Sequence, residues 1–400
     1  MTAQRRPFGR GPAVSLFTLG TMRALASQAQ MDAVVRAALD AGINHLETAP
    51  AYGPAETFLG AALARLERED LRPDGGWMVT SKILPGVSFS EGRSQLQASL
   101  KRLGLHHLPN LAVHGINRQE HLLWAQDGEG RHLLQWARDS GLVGQVGFSS
   151  HGSHALIAEA IASGLFEFCN LHLHLLDPSR MELAHDALAR GMGVLAISPA
   201  DKGGRLWDPS PTLCEDCAPI PPLALAYRYL LAAGISTLTV GATQPQDLDL
   251  PHRLAKASGA LSPAERSALT RLEQRRRQRL GQEHCCQCRS CLPCPNQVPI
   301  PELLRLRNLR LGHDLQAFTQ ERYNLIGRAG HWWEQLDASA CQGCGDCLPR
   351  CPHDLPIPDL LAETHRLLAA PPRRRLWGLS LIHISEPTRQ LASSRMPSSA

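Results

Sequence analysis

Eight of the twelve cysteines in this chain fall into two short runs. The first is Cys285-x2-Cys288-x2-Cys291-x2-Cys294-Pro295. The second is Cys341-x2-Cys344-x2-Cys347-x3-Cys351-Pro352. The residues that follow repeat as well, Val-Pro-Ile-Pro-Glu-Leu-Leu304 against Leu-Pro-Ile-Pro-Asp-Leu-Leu361. Three closely spaced thiolates can hold one iron–sulfur cube, and a distant Cys-Pro supplies a fourth. The pattern implies two [4Fe–4S] clusters and one-electron transfer. Two ligand assignments are open. In the crossed one, Cys285, Cys288, Cys291 and Cys351 hold one cluster, and Cys341, Cys344, Cys347 and Cys294 the other. In the alternative, each run is self-contained. Zinc competes for paired Cys-x2-Cys runs, but four thiolates suffice for it and the trailing Cys-Pro would be idle. Cys286 is a spare thiol beside the first run. Such a concentration of cysteine suits metal ligation in a reducing compartment, the cytoplasm, better than a disulfide scaffold.

A second set of reactive side chains lies in the first half of the chain: Glu47, Tyr52, Lys82 and His114. Each falls at or just past the end of a short apolar segment. Such strand candidates recur at 15–21, 43–47, 78–82, 111–114, 143–149, 166–171, 193–198 and 237–240. Amphipathic helical patterns separate them, among them 31–41, 55–66, 93–103, 120–140, 155–163, 181–190 and 223–233. Glycines follow several of these helices, where a left-handed cap is needed. Eight strand–helix units over this length predict a (β/α)8 barrel. A doubly wound sheet is the alternative, and it needs no eighth unit. In such a barrel the catalytic groups stand at the C-terminal ends of the strands. An acid, a phenol, an amine and an imidazole at consecutive strand ends therefore converge on one rim.

The segments carrying these residues resemble the aldo-keto reductase family. They are Gly42-Ile-Asn-His-Leu-Glu-Thr-Ala-Pro-Ala-Tyr-Gly53, Met78-Val-Thr-Ser-Lys82, Leu111-Ala-Val-His-Gly115 and Gly144-Gln-Val-Gly-Phe-Ser-Ser150. With the cysteine runs, the chain is similar to the branch of that family carrying a ferredoxin-like 4Fe-4S domain. The resemblance implies hydride transfer between NAD(P)H and a small carbonyl or alcohol substrate. Tyr52 is then the general acid, and Lys82 lowers the tyrosine pKa by placing a positive charge beside the phenolate. Glu47, where the family usually has Asp, fixes Lys82. His114 orients the substrate oxygen. Ser149, Ser150 and Asn170 occupy the positions that hold the nicotinamide carboxamide. The Gly-x-Arg that commonly grips an adenosine 2′-phosphate is Gly241-Ala-Thr243 here, with Asp247 and Asp249 following. Lys202, Gly203 and Gly204 are candidates for the phosphates, since barrel phosphate sites lie near the last strands. For His151, His172 and His174, and for Cys214 and Cys217, ordinary structural roles are expected over a metal site shared with His114 or a redox pair.

The expected domains are a barrel over 1–260, a helical linker over 261–280, and a small, mostly helical two-cluster domain over 281–370. The 57 residues separating Cys294 from Cys351 imply an internal duplication. Residues 371–400 form a tail, of which 379–400 resemble a translated sequencing adapter. The formal charge of +4 leaves no nucleic-acid footprint. No apolar run of membrane-spanning length is evident. A redox partner protein is expected for the clusters. The alternative reading is a ferredoxin-like electron carrier or docking module whose barrel is a non-catalytic ligand-binding scaffold. A third has the clusters as structural staples.

Overall fold

The computed structural model describes residues 4–257, 259–326 and 336–370. The expected tail at 371–400 lies outside the described residues. Among the described residues ten strands are present: β1 (Arg5–Phe8), β2 (Gly11–Ser15), β3 (Phe17–Gly20), β4 (His45–Glu47), β5 (Met78–Ile83), β6 (Leu108–Val113), β7 (Val143–Ser150), β8 (Phe168–His172), β9 (Gly193–Ile197) and β10 (Thr237–Gly241). The last eight close into a parallel barrel, with β10 returning to pair with β3. The expected (β/α)8 barrel is therefore formed.

β1 and β2 form an antiparallel hairpin that periodicity did not reveal, and Ser15 belongs to it rather than to the barrel. The hairpin plugs the N-terminal end. Phe8 is fully buried there, with its ring 5.0 Å from that of Phe168 and 5.2 Å from that of His45. Its carbonyl accepts from Gln145 Nε2 at 3.0 Å. Above this plug the interior carries a hydrogen-bonded polar layer. Thr18 contacts His45 at 2.8 Å and Thr237 at 2.7 Å, and His45 contacts Thr80 at 2.7 Å. Burial pulls the His45 imidazole down to about 3, so it stays neutral.

The helices ring the barrel near their expected positions. The segment expected as one helix over 120–140 is two, Gln119–Asp127 and Glu129–Asp139. The break is at Gly128, whose backbone is extended. Across the break the Trp124 ring lies against Gly130, where a Cβ would approach within 2.4 Å. The helix expected at 93–103 starts earlier, at Phe89, behind a Ser88/Glu91 capping box. It ends on Gly104 in the left-handed region, φ +67°.

The helix Pro263–Leu280 leads from the barrel to the cysteine-rich segment. Among the described residues beyond it, the regular structure is entirely helical: Ile300–His313, Gln316–Leu325, a short 3-10 turn at Ala338–Ala340, and Ile357–Leu368. Pro301 and Pro358 stand in the first turns of their helices, as the repeat suggests. This part packs on the C-terminal rim of the barrel. Leu175, Leu176, Leu206 and Leu213 of the rim loops share one apolar cluster with Leu272, Leu309, Leu315 and Phe318. Fully buried Asp216 anchors the junction, pairing with Arg275 at 3.0 Å and with Arg279 at 2.5 Å. Arg279 in turn donates to the Gly312 carbonyl at 2.8 Å. Among the described residues no helix is long and apolar enough to cross a membrane.

Candidate active site and cysteine hollows

Three adjacent barrel strands bring the first reactive set together. Glu47 is the last residue of β4, Lys82 lies one residue from the end of β5, and His114 follows β6. Tyr52 stands on the turn between β4 and the helix Ala55–Arg68, and Gly53 completes that turn at φ +57°, where a side chain is disfavoured. Lys82 Nζ uses all three of its protons. It donates to Glu47 Oε1, to the Thr48 carbonyl at 3.2 Å and to Tyr52 Oη at 2.7 Å. The ammonium also lies 4.4 Å from the centroid of the Tyr52 ring. Tyr52 and His114 meet edge to face, 6.0 Å apart.

Burial first, then the Glu47 carboxylate, push the Tyr52 phenol above its ordinary value; Lys82 pulls it down, as expected, but burial and Glu47 outweigh it. Lys82 therefore does not leave tyrosine with a depressed pKa. The phenol keeps its proton at neutral pH, which is the state a general acid needs. Burial alone would lower Lys82, but Glu47 and Tyr52 together hold it above the usual lysine value. Burial, then the Lys82 charge, lower His114 to about 4, so its imidazole is neutral near pH 7.

The expected nicotinamide contacts divide. Ser149 and Asn170 face each other in register on β7 and β8. Fully buried Asn170 has no hydrogen-bond partner on either side-chain amide atom. Ser150 is committed elsewhere: its hydroxyl donates to the Ile116 carbonyl at 2.5 Å and accepts from Gly152 N at 2.9 Å. Ser149 Oγ accepts from Gly115 N at 3.0 Å. Lys202, Gly203 and Gly204 lie on the loop after β9, and Gly241 ends β10. At Gly203 a Cβ would come within 2.7 Å of the Pro199 carbonyl. In the turn after Gly241, Asp247 accepts from Thr243 N at 2.7 Å and from Thr243 Oγ1 at 2.9 Å. The nearest cation there was missed from sequence. Arg23 packs against Gly241, stacks 4.6 Å from the Trp207 ring and pairs with Asp201 at 3.3 Å. Arg23 is too far in sequence from Asp201 and Trp207 for spacing to signal the contact.

His151, His172 and His174 form a row. His151 and His172 meet through their Nε2 atoms at 3.3 Å, and the His172 and His174 rings are 5.8 Å apart. Among the described residues no three His, Cys, Asp or Glu are placed to hold a metal ion. Cys214 is exposed and Cys217 buried in the short helix Pro211–Cys217.

The second reactive set lines two hollows open to solvent. One is lined by Cys285, Cys288, Cys291 and Cys351. The other is lined by Cys294, Cys341, Cys344 and Cys347. The loops preceding Ile300–His313 and Ile357–Leu368 thus exchange their last cysteines. Arg307, buried on the first of these helices, ties the halves together by pairing with Glu283 and with Glu363.

Comparison with known proteins agrees with the barrel. The family model described as the aldo/keto reductase family matches residues 17–250, more than half of the chain. An aldo-keto reductase from Mycolicibacterium vanbaalenii is 28% identical over 217 residues, covering 52% of this chain and 72% of that protein. A second, from Mycolicibacterium smegmatis, is 29% identical over 178 residues, covering 44% of this chain and 61% of the relative. Among solved structures, the holo form of an aldo-keto reductase from Bacillus halodurans aligns with a TM-score of 0.58 at 20% identity. It covers 67% of this chain and 95% of its own. A Bombyx mori aldo-keto reductase in complex with NADP aligns with a TM-score of 0.53 at 21% identity, covering 67% and 92%. The barrel, its rim of acid, phenol, amine and imidazole, and the family match converge: the chain belongs to the aldo/keto reductase family and is an oxidoreductase.

Proposed function

We propose that this chain transfers hydride between a nicotinamide cofactor and a small carbonyl or alcohol substrate, and that its cysteine-rich part carries two [4Fe–4S] clusters. The observation that carries the first half is the buried chain Glu47–Lys82–Tyr52, which ends in a protonated phenol at the barrel rim. In the reductive direction Tyr52 gives its proton to the substrate oxygen. Lys82, 2.7 Å away, stabilises the phenolate left behind. Glu47 holds Lys82 charged and in place. His114, neutral, orients the substrate oxygen.

The residues present fit a nicotinamide. Asn170 offers an unpartnered donor and acceptor, the complement of a carboxamide. Asn170 and Ser149 would hold that group. Gly203, Gly204, Lys202 and Gly241 would line the phosphate end, with Arg23 as the cation beside Gly241. When bound, the nicotinamide supplies the hydride. The complex of the Bombyx mori relative with NADP is in keeping with this assignment.

The thiols supply the donor type that clusters need, although among the described residues no three are placed to hold a single metal ion. Four surround each hollow, three from one repeat and one from the other, the donor set of a two-cluster ferredoxin. Crossed ligation is therefore favoured over self-contained runs. Cys285, Cys288, Cys291 and Cys351 would hold one cluster and Cys294, Cys341, Cys344 and Cys347 the other, each exchanging one electron. A partner redox protein follows from such chemistry.

The test is Tyr52→Phe. It is expected to abolish nicotinamide-linked turnover while iron content and cluster absorbance persist; retained turnover overturns the hydride reading. A second reading, an electron carrier on a scaffold barrel, draws on Asp247, whose carboxylate fills the turn that commonly grips a 2′-phosphate. It predicts clusters that cycle reversibly with Tyr52 dispensable and no binding of NADH or NADPH.

A further inference from the structure

The two hollows differ in one respect that the duplication does not explain. Beyond its four thiols, each is lined by a side chain that follows the first cysteine of one run and by another that follows the Cys-Pro of the other run. At the second hollow these are Gln342 and Asn296, both amides. At the first they are Cys286 and His353, a thiol and an imidazole. Cys286 Sγ lies 2.8 Å from His353 Nε2. Cys288, two residues on, is the exposed member of the first set. The first hollow therefore holds five thiols for a cube that takes four, with the fifth beside the ligand most open to oxidants and electrophiles. Oxidation follows exposure and thiolate character, so Cys288 is the ligand most at risk.

We propose that Cys286 is a reserve ligand for the first cluster, held by His353, that replaces Cys288 when that thiolate is lost. This rests on the cluster reading above. In the exchange the Fe–S bond to Cys288 breaks and Cys286 Sγ bonds the same iron. The thiol proton passes to His353 Nε2, and no electrons change hands. The second hollow has no such reserve, because an amide at Gln342 cannot stand in for a thiolate.

The experiment is anaerobic reconstitution of the full chain, read as iron and sulfide per chain and by electron paramagnetic resonance after reduction. The native protein is expected to hold about 8 iron atoms, the content of two cubes. Cys288→Ser should stay near that value, whereas Cys344→Ser at the second hollow should fall to about 4. Cys286→Ser/Cys288→Ser should also fall to about 4, with the first cluster's signal lost. Equal loss in Cys288→Ser and Cys344→Ser overturns the reserve role and leaves the two clusters standing. Absence of iron from the native chain overturns the cluster reading itself. Should Cys288→Ser fail to fold, Cys286→Ser decides the matter: it should lose its first cluster in air several-fold faster than the native chain, and equal rates overturn the proposal.

Discussion

Replacing Lys82 with methionine removes a charge while keeping the length of the side chain, and the structure separates its two consequences. Lys82 Nζ is 2.7 Å from Tyr52 Oη. At an effective dielectric of about 20, a unit charge at that distance from a phenolate contributes roughly 6 kcal/mol of bare Coulomb energy. Desolvation and reorganisation reduce this to the ~1.5–3 kcal/mol typical of a hydrogen bond to a charged group. That is a loss of about 10- to 150-fold in kcat/KM. The ground state of Tyr52 does not change, because burial and Glu47 already keep the phenol protonated. The loss therefore belongs to the transition state, and raising the pH does not rescue it. Stability falls too. Glu47 and Lys82 are 5% and 4% exposed, so the substitution strands a buried carboxylate at a cost of about 3–5 kcal/mol. Glu47→Gln/Lys82→Met should recover most of that stability but none of the rate. The assay is steady-state reduction of a carbonyl panel, followed by the absorbance of the reduced nicotinamide, beside thermal unfolding of each variant. Native kcat/KM in folded Lys82→Met would falsify the assignment of Lys82 to the proton-transfer step.

Other expectations follow from the same geometry. Asn170→Ala removes a fully buried amide with no partner, so the nucleotide-free protein should gain about 1–3 kcal/mol while nicotinamide binding weakens; a loss on both counts would mean that Asn170 is structural. The pH profile of carbonyl reduction should be flat through neutrality. Tyr52, a general acid with a raised pKa, loses its proton only above its ordinary value of 10.0, and His114 gains one only below about 4; a break between pH 6 and 8 contradicts both. Cys351→Ser should remove the cluster ligated by Cys285, Cys288 and Cys291, and loss of the other cluster instead would show self-contained ligation. Asp216→Asn should loosen the junction between barrel and cysteine-rich part by about 2 kcal/mol, less than a fully enclosed pair because Arg275 and Arg279 are partly exposed. The Asp216 carboxyl sits below its ordinary value, Arg279 and Arg275 outweighing the burial that raises it. Its contribution is thus present above about pH 4 and fades as the pH falls through the depressed value. Differential scanning calorimetry across that range checks the sign.

Much of the architecture was legible along the chain because it is local. Strand and helix periods, and the glycines that end helices, require only neighbours within a turn, and all eight barrel strands lie within a few residues of their expected places. The break at Gly128 was not legible in the helical periodicity of 120–140. Nor was the N-terminal hairpin, whose role is to fill an end that exists only once the barrel has closed. The rim positions of Glu47, Tyr52, Lys82 and His114 could be read from strand ends, and the cysteine runs stand out by their spacing alone.

What tertiary structure decided is charge state and partnership. A sequence shows a lysine near a tyrosine and suggests a lowered phenol pKa. Only the enclosed Glu47–Lys82 pair shows that burial and the carboxylate outweigh the cation, so Tyr52 is a protonated acid rather than a ready phenolate. Ser150 reads as a cofactor contact until its hydroxyl is seen spent on Ile116 and Gly152. The crossed and self-contained cysteine sets are both open on spacing alone; only folding brings Cys351 to the hollow of Cys285, Cys288 and Cys291, and Cys294 to that of Cys341, Cys344 and Cys347. The physical reason is common to all three. Residue type and spacing determine which chemistry a chain can attempt. Desolvation, hydrogen-bond partners and the meeting of distant segments depend on distances that exist only after folding.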